Sequence, residues 1–267
     1  MHVAEGARIG IAYDYRLIDF DRLGLADSDL ASMVAAARRA GYAGLNITHP
    51  FKERVIDSLD AMAPEAAAIG AVNTVTFRDG VAIGHNTDIY GFAESFRLGM
   101  PGADLGSVVL IGAGGAGMAV ARVLIDAGVG DLAVADLDPV RAERLVSRLG
   151  AGRVAFADQT DALMATATGL VNATPIGMAK YPGTPVRAAL LRPEMWVADI
   201  VYFPAETELL AKARAAGCRT MAGAGMAVFQ AVKAFEIITG LQPDADSMAG
   251  HFRSPGSSLE AATRTPR

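Results

Sequence analysis

A glycine-rich segment between a buried strand and a helix constrains the fold of this chain more than any other feature. The segment Gly112-Ala-Gly-Gly-Ala-Gly117 follows the apolar run 108–111 and precedes a helical pattern that reaches Ala127. Such a turn needs glycine for the sharp bend, for close approach of the backbone to a pyrophosphate, and for contact between helix and strand. The spacing in this context predicts a Rossmann-like dinucleotide-binding unit, and a glycine-rich turn without a ligand is the alternative. The candidate cofactor-binding residues of the turn are Gly112, Gly114, Gly115, Ala116 and Gly117.

The acid that follows the second strand predicts which dinucleotide binds. Residues 132–135 form this strand, and Asp136 comes directly after it. A carboxylate there can accept both ribose hydroxyls of NAD, whereas it repels the 2′-phosphate of NADP by about 4 kcal/mol per charge pair at roughly 4 Å and an effective dielectric of about 20. Asp138 adds a second negative charge, but it is equally typical of an N-cap before Pro139. Arg141 could rescue a phosphate, although stacking on adenine or pairing with Asp138 is favoured. NAD is therefore the predicted cofactor, with NADP less favoured.

Bulk composition excludes several classes of function. The 267 residues carry a net charge of −5, which argues against nucleic acid or an anionic membrane as the main partner. One cysteine, Cys218, rules out an internal disulfide, and the four scattered histidines lack metal-ligand spacing. The chain start is not typical of a signal peptide, and the longest apolar stretch is short and broken by glycines. We therefore expect a cytoplasmic protein without a metal.

The order of elements predicts an α/β architecture with parallel strands. Strand and helix patterns alternate along most of the chain, and Asp79-Gly80 is typical of a tight hairpin turn between residues 71–77 and 81–86. Pro50 is expected to open a helix. Pro101-Gly102 marks a linker. We predict a first domain of residues 1–100 joined by C-terminal helices 224–252, a dinucleotide-binding domain of residues 101–223, and a flexible tail of residues 253–267.

Lys52 and Asp88 are the candidate catalytic residues. Only four of the 24 Lys and Arg residues are Lys, so a lysine in a polar run suggests a task that arginine cannot perform. The pKa of a lysine ammonium can be shifted to release a proton, whereas that of a guanidinium cannot. No Tyr-x-x-x-Lys pair and no zinc set occurs in the sequence, which leaves Lys52 with Asp88 as the proton acceptor of an alcohol. A surface lysine on a first helical turn and an N-cap aspartate are the alternatives.

Several uncommon motifs resemble the shikimate dehydrogenase family. They run in order from about Ala43 to about Gly240, which is most of the chain. The motifs are Asn46-Ile-Thr-His-Pro-Phe-Lys52, Gly70-Ala-Val-Asn73-Thr, Gly84-His-Asn-Thr-Asp88, Asn172-Ala-Thr-Pro-Ile-Gly-Met178, Val201-Tyr202 and Gln230-Ala231. The run Ala135-Asp-Leu-Asp138 looks closer to the NAD-preferring quinate/shikimate branch than to NADP-type members.

The resemblance implies an N-terminal α/β substrate domain, a Rossmann-like cofactor domain and an active site in the cleft between them. It implies interconversion of shikimate or quinate with the 3-dehydro keto acid, in aromatic amino acid biosynthesis, by a monomer or homodimer. Lys52 and Asp88 would be the catalytic pair. Thr48, Asn73 and Gln230 would bind ring hydroxyls, and Tyr202 would line the carboxylate end. The nicotinamide half would contact Asn172, Thr174, Val201, Gly223 and Met226.

One departure from the family pattern concerns the start of the chain. Family members begin with a strand and two hydroxyl residues before a Met-His pair, and here Met1-His2 coincides with that pair. The usual first strand is therefore lacking, and we expect a gap in the sheet and a translation start upstream. An aminoshikimate-type dehydrogenase and a ligand sensor without turnover are the alternative functions. Lys52 with Asp88 argues against a sensor, which has no need of a proton-transfer pair.

Overall fold

The computed structural model describes residues 1–155 and 159–253, so residues 254–267 of the predicted tail lie outside the described residues. The strands are β1 (Gly44–Asn46), β2 (Ala61–Met62), β3 (Thr74–Arg78), β4 (Val81–His85), β5 (Ser107–Ile111), β6 (Asp131–Ala135), β7 (Arg153–Ala155), β8 (Gly169–Asn172), β9 (Trp196–Asp199) and β10 (Arg219–Met221). The α-helices are α1 (His2–Arg8), α2 (Phe20–Leu23), α3 (Leu30–Arg39), α4 (Pro64–Ile69), α5 (Asp88–Gly99), α6 (Gly115–Asp126), α7 (Pro139–Leu149), α8 (Thr160–Thr166), α9 (Glu208–Ala215), α10 (Ala224–Thr239) and α11 (Ala245–Arg253).

Two sheets organise the chain. The first sheet has the order β1-β3-β4-β2, and its hairpin β3–β4 turns at Asp79 and Gly80, both with positive φ. The second sheet has the order β10-β9-β8-β5-β6-β7, and all its pairs are parallel. The predicted α/β class with a Rossmann-like parallel sheet is confirmed. The domain boundaries stay a prediction.

The register of the parallel sheet brings four strand ends to one edge. Ile111 pairs with Ala135 on one side and with Asn172 on the other, and Asn172 pairs in turn with Asp199. The strand order reverses direction between β5 and β8, and ligands of open α/β sheets bind at such a switch point. The glycine turn that follows β5 therefore lies where a dinucleotide site is expected.

Both faces of β5 are covered, which explains its continuous apolar sequence. Val108 and Leu110 belong to a core cluster that includes side chains of α5 and α6, whereas Val109 belongs to a second cluster with residues of α8 and α9. Strands of parallel sheets are buried on both faces and lack polar alternation for this reason.

Helix α10 connects the two sheets. It begins directly after β10 and packs along α5, and a Cβ built on Gly91 of α5 would lie 2.7 Å from the carbonyl oxygen of Met226. Such a close approach of two helices requires glycine at the crossing point. The contact places residues of α10 beside the start of α5.

Several predicted elements are confirmed, and others are wrong. The sequence pattern predicts strands over residues 169–172 and 219–221 and a long helix over residues 224–239, and β8, β10 and α10 have these bounds. The first hairpin strand begins at Thr74 rather than at residue 71, because the Val72 N–H donates to the Lys52 carbonyl, which lies outside the hairpin. Pro50 does not open a helix. Pro50 follows a cis peptide bond to His49 and lies in a turn. This turn is closed by a hydrogen bond from the Phe51 N–H to the Thr48 carbonyl.

The expected gap in the first sheet does not occur between the four strands that the structure describes. Residues 9–19 form neither helix nor strand, and the four strands of the first sheet are contiguous with β1 at one edge. The described part of the first sheet is thus continuous, and β1 is one of its two edge strands. None of the helices in residues 1–155 and 159–253 is long and apolar enough to cross a bilayer.

Candidate active site

Lys52 and Asp88 form an ion pair with 2.6 Å between Nζ and Oδ2. Lys52 lies in the turn after β1, and Asp88 is the first residue of α5. The two side chains are 19% and 5% exposed, so the pair is largely shielded from water and from salt screening. An ammonium has three N–H donors, and Asp88 accepts one of them. Lys52 is therefore held in place and can still bind a hydroxyl.

Asn73 and Thr87 fix the orientation of the Asp88 carboxylate. Asn73 Nδ2 lies 2.9 Å from both Asp88 Oδ1 and Thr87 Oγ1, and Thr87 N–H donates to Asn73 Oδ1 at 2.7 Å. All three residues are buried. Asp88 also lies in the first turn of α5, where the helix dipole favours a negative charge. Asn73 thus orients Asp88, and its binding of a ring hydroxyl stays a prediction.

One short segment holds both members of the pair. Val72 N–H donates to the Lys52 carbonyl at 2.8 Å, and Asn86 Nδ2 donates to the Ala71 carbonyl at 3.0 Å. Ala71, Val72 and Asn73 are each no more than 3% exposed. The backbone that carries Lys52 and the start of α5 are therefore both anchored to residues 71–73.

Gln230 extends this network from α10. Thr87 Oγ1 lies 3.4 Å from Gln230 Oε1, and Gln230 Nε2 donates to the Ala227 carbonyl. The helix crossing described above thus brings Gln230 next to the segment that carries Asp88. Gln230 is close to the pair as the resemblance implies, and its role in binding substrate stays a prediction.

The two other predicted substrate residues lie at the surface. Thr48 is exposed and precedes the cis peptide bond between His49 and Pro50. Tyr202 is 39% exposed, and its ring packs edge-on against Phe252 with 6.3 Å between centroids. Their proposed contacts with a substrate stay predictions.

Each glycine of the turn has a different local environment. Gly112 has φ +104°, and a Cβ there would lie 2.6 Å from the carbonyl carbon of Ala173. A Cβ on Gly117 would lie 2.0 Å from the carbonyl oxygen of Gly112, whereas one on Gly114 would meet no atom within 4 Å among residues 1–155 and 159–253. Gly112 and Gly117 are thus required for packing, and Gly114 faces open space at the N-terminus of α6. This geometry fits a pyrophosphate bound by the N–H groups of residues 115–117, which have no intrahelical partner.

Asp136 is fixed at the end of β6 by the glycine turn itself. Its Oδ2 accepts the N–H of Ala113 at 2.8 Å, and its Oδ1 accepts the N–H of Asp138 at 2.9 Å. A carboxylate has about four acceptor sites, so both oxygens retain capacity for ribose hydroxyls. Asp138 accepts the N–H of Val140 and caps α7, and Arg141 lies 3.7 Å from it. The structure thus shows the N-cap and the ion pair that were the alternatives to cofactor contacts.

The five predicted nicotinamide residues come from the carboxyl edge of the parallel sheet and the start of α10. Asn172 Oδ1 accepts from Thr174 Oγ1 at 2.7 Å, which shapes the loop that packs on Gly112. A Cβ on Gly223 would lie 2.3 Å from the carbonyl oxygen of Ile200, so the start of α10 contacts the segment that leads to Val201. Met226 is buried in the core cluster that also contains Val108 and Leu110 of β5. The structure brings these residues together at the edge that also holds the glycine turn.

Asp199 organises this edge, although the sequence analysis assigned it no role. Its Oδ1 accepts from Asn172 Nδ2 at 2.9 Å and from Val201 N–H at 3.0 Å, and its Oδ2 accepts from Thr207 Oγ1 at 2.6 Å. Asp199 is fully buried, and burial raises the pKa of its carboxyl group, which the three hydrogen bonds partly oppose. An acidic residue at the end of the otherwise apolar strand Trp-Val-Ala-Asp was the available signal. Thr87 was also assigned no role from the sequence, although its hydrogen bonds with Asn73 help to orient Asp88.

The glycine turn and the ion pair face each other. A Cβ built on Gly115 would lie 3.3 Å from Lys52 Cβ and 3.3 Å from Ala71 Cβ. The first residue of α6 is therefore in contact with the segment that carries the lysine. The Lys52–Asp88 ion pair and the glycine turn therefore lie side by side. Their roles in proton transfer and dinucleotide binding stay predictions. Among residues 1–155 and 159–253, no group of His, Cys, Asp or Glu is arranged to hold a metal ion.

Comparison with known proteins identifies the family. The profile of the shikimate dehydrogenase substrate binding domain matches residues 1–75. A shikimate dehydrogenase (NADP(+)) of Streptomyces avermitilis is 54% identical over 254 residues, which cover 93% of this chain and 87% of that protein. The chain belongs to the shikimate dehydrogenase family. The family resemblance inferred from the motifs is confirmed.

Relatives in this family differ in the cofactor they are named for. A quinate/shikimate dehydrogenase (NAD(+)) of Corynebacterium efficiens is 47% identical over 261 residues, covering 95% of this chain and 92% of that protein. Quinate dehydrogenase from Corynebacterium glutamicum, solved in complex with NAD, superposes with a TM-score of 0.85 at 46% identity, covering 93% of this chain and 91% of that chain. Family membership therefore establishes a dinucleotide cofactor, and the choice between NAD and NADP has to be argued from the site.

Proposed function

We propose that this protein is a dehydrogenase that interconverts shikimate or quinate with the 3-dehydro keto acid and prefers NAD. The observation that supports this most is the Lys52–Asp88 ion pair of 2.6 Å in contact with the first residue of α6. The relatives named above are shikimate and quinate dehydrogenases, and they are matched over nearly the whole chain.

The reaction needs a group that exchanges a proton with the ring alcohol. Bound NAD supplies the hydride acceptor for oxidation, and its reduced form supplies the hydride for the reverse reaction. In oxidation, Lys52 Nζ accepts the hydroxyl proton as the carbonyl forms. In reduction, the Lys52 ammonium donates a proton to the developing alkoxide. Asp88 stabilises the ammonium and fixes its position, since positioned acid–base groups depend on geometry first.

The preference for NAD rests on the charges after β6. Asp136 and Asp138 both place carboxylates at the end of this strand, and Asp136 is fixed in position by the N–H of Ala113. A 2′-phosphate there would be repelled by Asp136 at short range. Arg141 lies against Asp138, which partly neutralises its charge. NAD therefore fits this chain better than NADP, although the Streptomyces avermitilis relative is named for NADP.

A matrix of four initial-rate assays tests the proposal. Purified protein is given shikimate or quinate, with NAD or NADP, at alkaline pH, and reduced dinucleotide is followed by absorbance. We expect turnover with at least one of the two acids and a higher kcat/KM with NAD. If none of the four assays shows turnover, a binding titration and an assay with an amino analogue follow. Ligand binding without turnover would favour a sensor, and turnover only with the amino analogue would favour an aminoshikimate-type dehydrogenase. A higher kcat/KM with NADP would refute the cofactor preference alone.

A further inference from the structure

Arg148 of helix α7 donates hydrogen bonds to helix α4 beside the first sheet. On the same side of the molecule, Arg144 of α7 lies 3.5 Å from Glu53 in an exposed ion pair. Arg148, near the C-terminus of α7, donates from Nη2 to the Ala67 carbonyl at 2.6 Å and from Nε to the Ala68 carbonyl at 3.0 Å. Ala67 and Ala68 lie in the last turn of α4. The last carbonyls of a helix have no intrahelical partner, and the helix dipole favours a cation there. One guanidinium thus satisfies two helix-end carbonyls from a segment about 80 residues away.

The end of α4 is shaped to receive this guanidinium. Gly70 ends the helix with φ +67°, and a Cβ built on it would lie 2.6 Å from the guanidinium carbon of Arg148. Any side chain at residue 70 would therefore displace the arginine. Beside this polar contact, Ile69 is 1% exposed and belongs to the same core cluster as Leu145 of α7. The contact is a combined apolar and bidentate interaction rather than a single surface ion pair.

The residues that follow Gly70 hold the catalytic pair. Ala71 accepts from Asn86, Val72 donates to the Lys52 carbonyl, and Asn73 donates to Asp88. On the other side, Ala71 Cβ and Lys52 Cβ lie against the first residue of α6. Gly70, which packs against the Arg148 guanidinium, is therefore followed directly by residues 71–73, which hold Lys52 and Asp88 in position.

The chain connections leave this side of the cleft without a covalent tie. In the described residues, the chain passes between the two sheets at the segment after α5 and again between β10 and α10. Helix α4 is held against α6 and α7 by noncovalent contacts. Relative movement of the two sheets would therefore have to break or shift the Arg148 hydrogen bonds.

We propose that Arg148 is a positioning residue that holds the glycine turn against Lys52 by fixing α7 to the carbonyl end of α4. This proposal rests on the proposed function for its kinetic readout. Each half of the cleft keeps its own binding groups without Arg148, but the distance between the hydride donor and acceptor is then less well defined. A misplacement of about 1 Å costs on the order of 100-fold in rate, so a partial loss of alignment should cost about tenfold in kcat.

The test compares Arg148→Ala, Arg148→Lys and Arg122→Ala. Arg122 is a partly exposed residue of α6 that pairs with Asp126 four residues on, and it serves as the control. We expect Arg148→Ala to lower kcat about tenfold, with KM for each substrate within about twofold of wild type. Arg148→Lys should recover part of the loss, because an ammonium can reach a carbonyl but lacks the bidentate geometry. Arg122→Ala should match wild type in both parameters.

Amide hydrogen exchange provides a readout that does not depend on turnover. In Arg148→Ala, exchange should rise both at residues 70–73 and at residues 115–118 of α6. If exchange rises only within α4 and kcat is unchanged, Arg148 is a helix cap without a positioning role and the proposal is wrong. If wild type itself shows no turnover with shikimate or quinate, the proposed function fails, and the exchange at residues 115–118 still decides the role of Arg148.

Discussion

Two glycines of the same turn should respond to alanine in opposite ways. Gly117→Ala places a methyl group 2.0 Å from the carbonyl oxygen of Gly112, within the backbone of the turn. Gly114→Ala places a methyl group where no atom of the described part of the chain lies within 4 Å, at φ −78° and ψ −171°, which alanine readily adopts. The first change therefore perturbs folding, and the second perturbs only what binds in front of the turn.

The magnitudes follow from these contacts. The Gly117 methyl group must move by more than about 1 Å, and overpacking of this kind costs about 3 kcal/mol or more. At about 2–4 °C per kcal/mol, Tm should fall by roughly 6–12 °C. For Gly114→Ala, a poorer N-cap is offset by a less flexible unfolded chain, so stability should change by less than about 1 kcal/mol. Its methyl group occupies the path of the pyrophosphate, and Kd for NADH should rise about tenfold or more.

Thermal unfolding of the protein without ligand and fluorescence titration with NADH measure the two effects separately. Gly250→Ala in α11 is the control, since no atom of the described residues lies within 4 Å of a Cβ there and the position is far along the chain from the turn. NADH binding by Gly114→Ala as tight as that of wild type and the control would show that the pyrophosphate does not lie against Gly114. A wild-type Tm for Gly117→Ala would show that the close contact with the Gly112 carbonyl does not constrain the turn.

Three further predictions concern a buried histidine, a buried acid and the cofactor preference. Burial, with a smaller effect of the N-terminal charge, lowers the pKa of His2 from 6.5 to about 4. The unfolded chain therefore binds more protons below pH 6.5, and wild type should lose about 3 kcal/mol more than His2→Phe between pH 7 and pH 4 in urea unfolding; equal losses would contradict this. Asp199→Ala leaves Asn172 and the Val201 N–H without their acceptor and should cost about 2–4 kcal/mol, whereas Asp199→Asn retains that acceptor and should cost clearly less in the same assay. Asp136→Ser combined with Leu137→Arg should lower the ratio of kcat/KM for NAD over NADP about tenfold or more, since the Leu137 side chain is 95% exposed and arginine fits there; an unchanged ratio would show that this strand end does not bind the ribose.

The parallel sheet could be predicted from the sequence because its strands are short apolar runs between clear turn signals. β8 and β10 were predicted with the observed bounds, and the glycine turn was placed between β5 and α6. A strand buried on both faces has a local signature that does not depend on its neighbours. The fold of this half therefore follows from local patterns.

The catalytic cleft was predictable only in part, because its contacts join distant segments. Lys52 and Asp88 were paired on chemical grounds and by resemblance, and the structure places them 2.6 Å apart. Asp199 was missed because its partners, Asn172 and Thr207, come from other segments. Arg148 reads as an ordinary surface residue of a helix, since nothing in its local sequence indicates contact with α4.

The predicted helix at Pro50 was wrong for a related reason. Proline favours the first turn of a helix, but it also occupies turns, and local sequence does not separate the two. Here the carbonyl of Lys52 accepts from Val72, which draws the chain into a turn before the short 3₁₀ segment of residues 54–58. A contact between residues 20 positions apart thus overrides the local preference.

The kcat of Lys52→Ala in the oxidation of shikimate or quinate tests the central claim most directly. The claim is that the Lys52 side chain, oriented by Asp88, exchanges the proton of the ring alcohol next to the glycine turn. Loss of a positioned acid–base group should lower kcat by a factor of about 10²–10⁴ with a smaller change in KM. A variant with wild-type kcat and only a raised KM would contradict the claim and make Lys52 a binding residue.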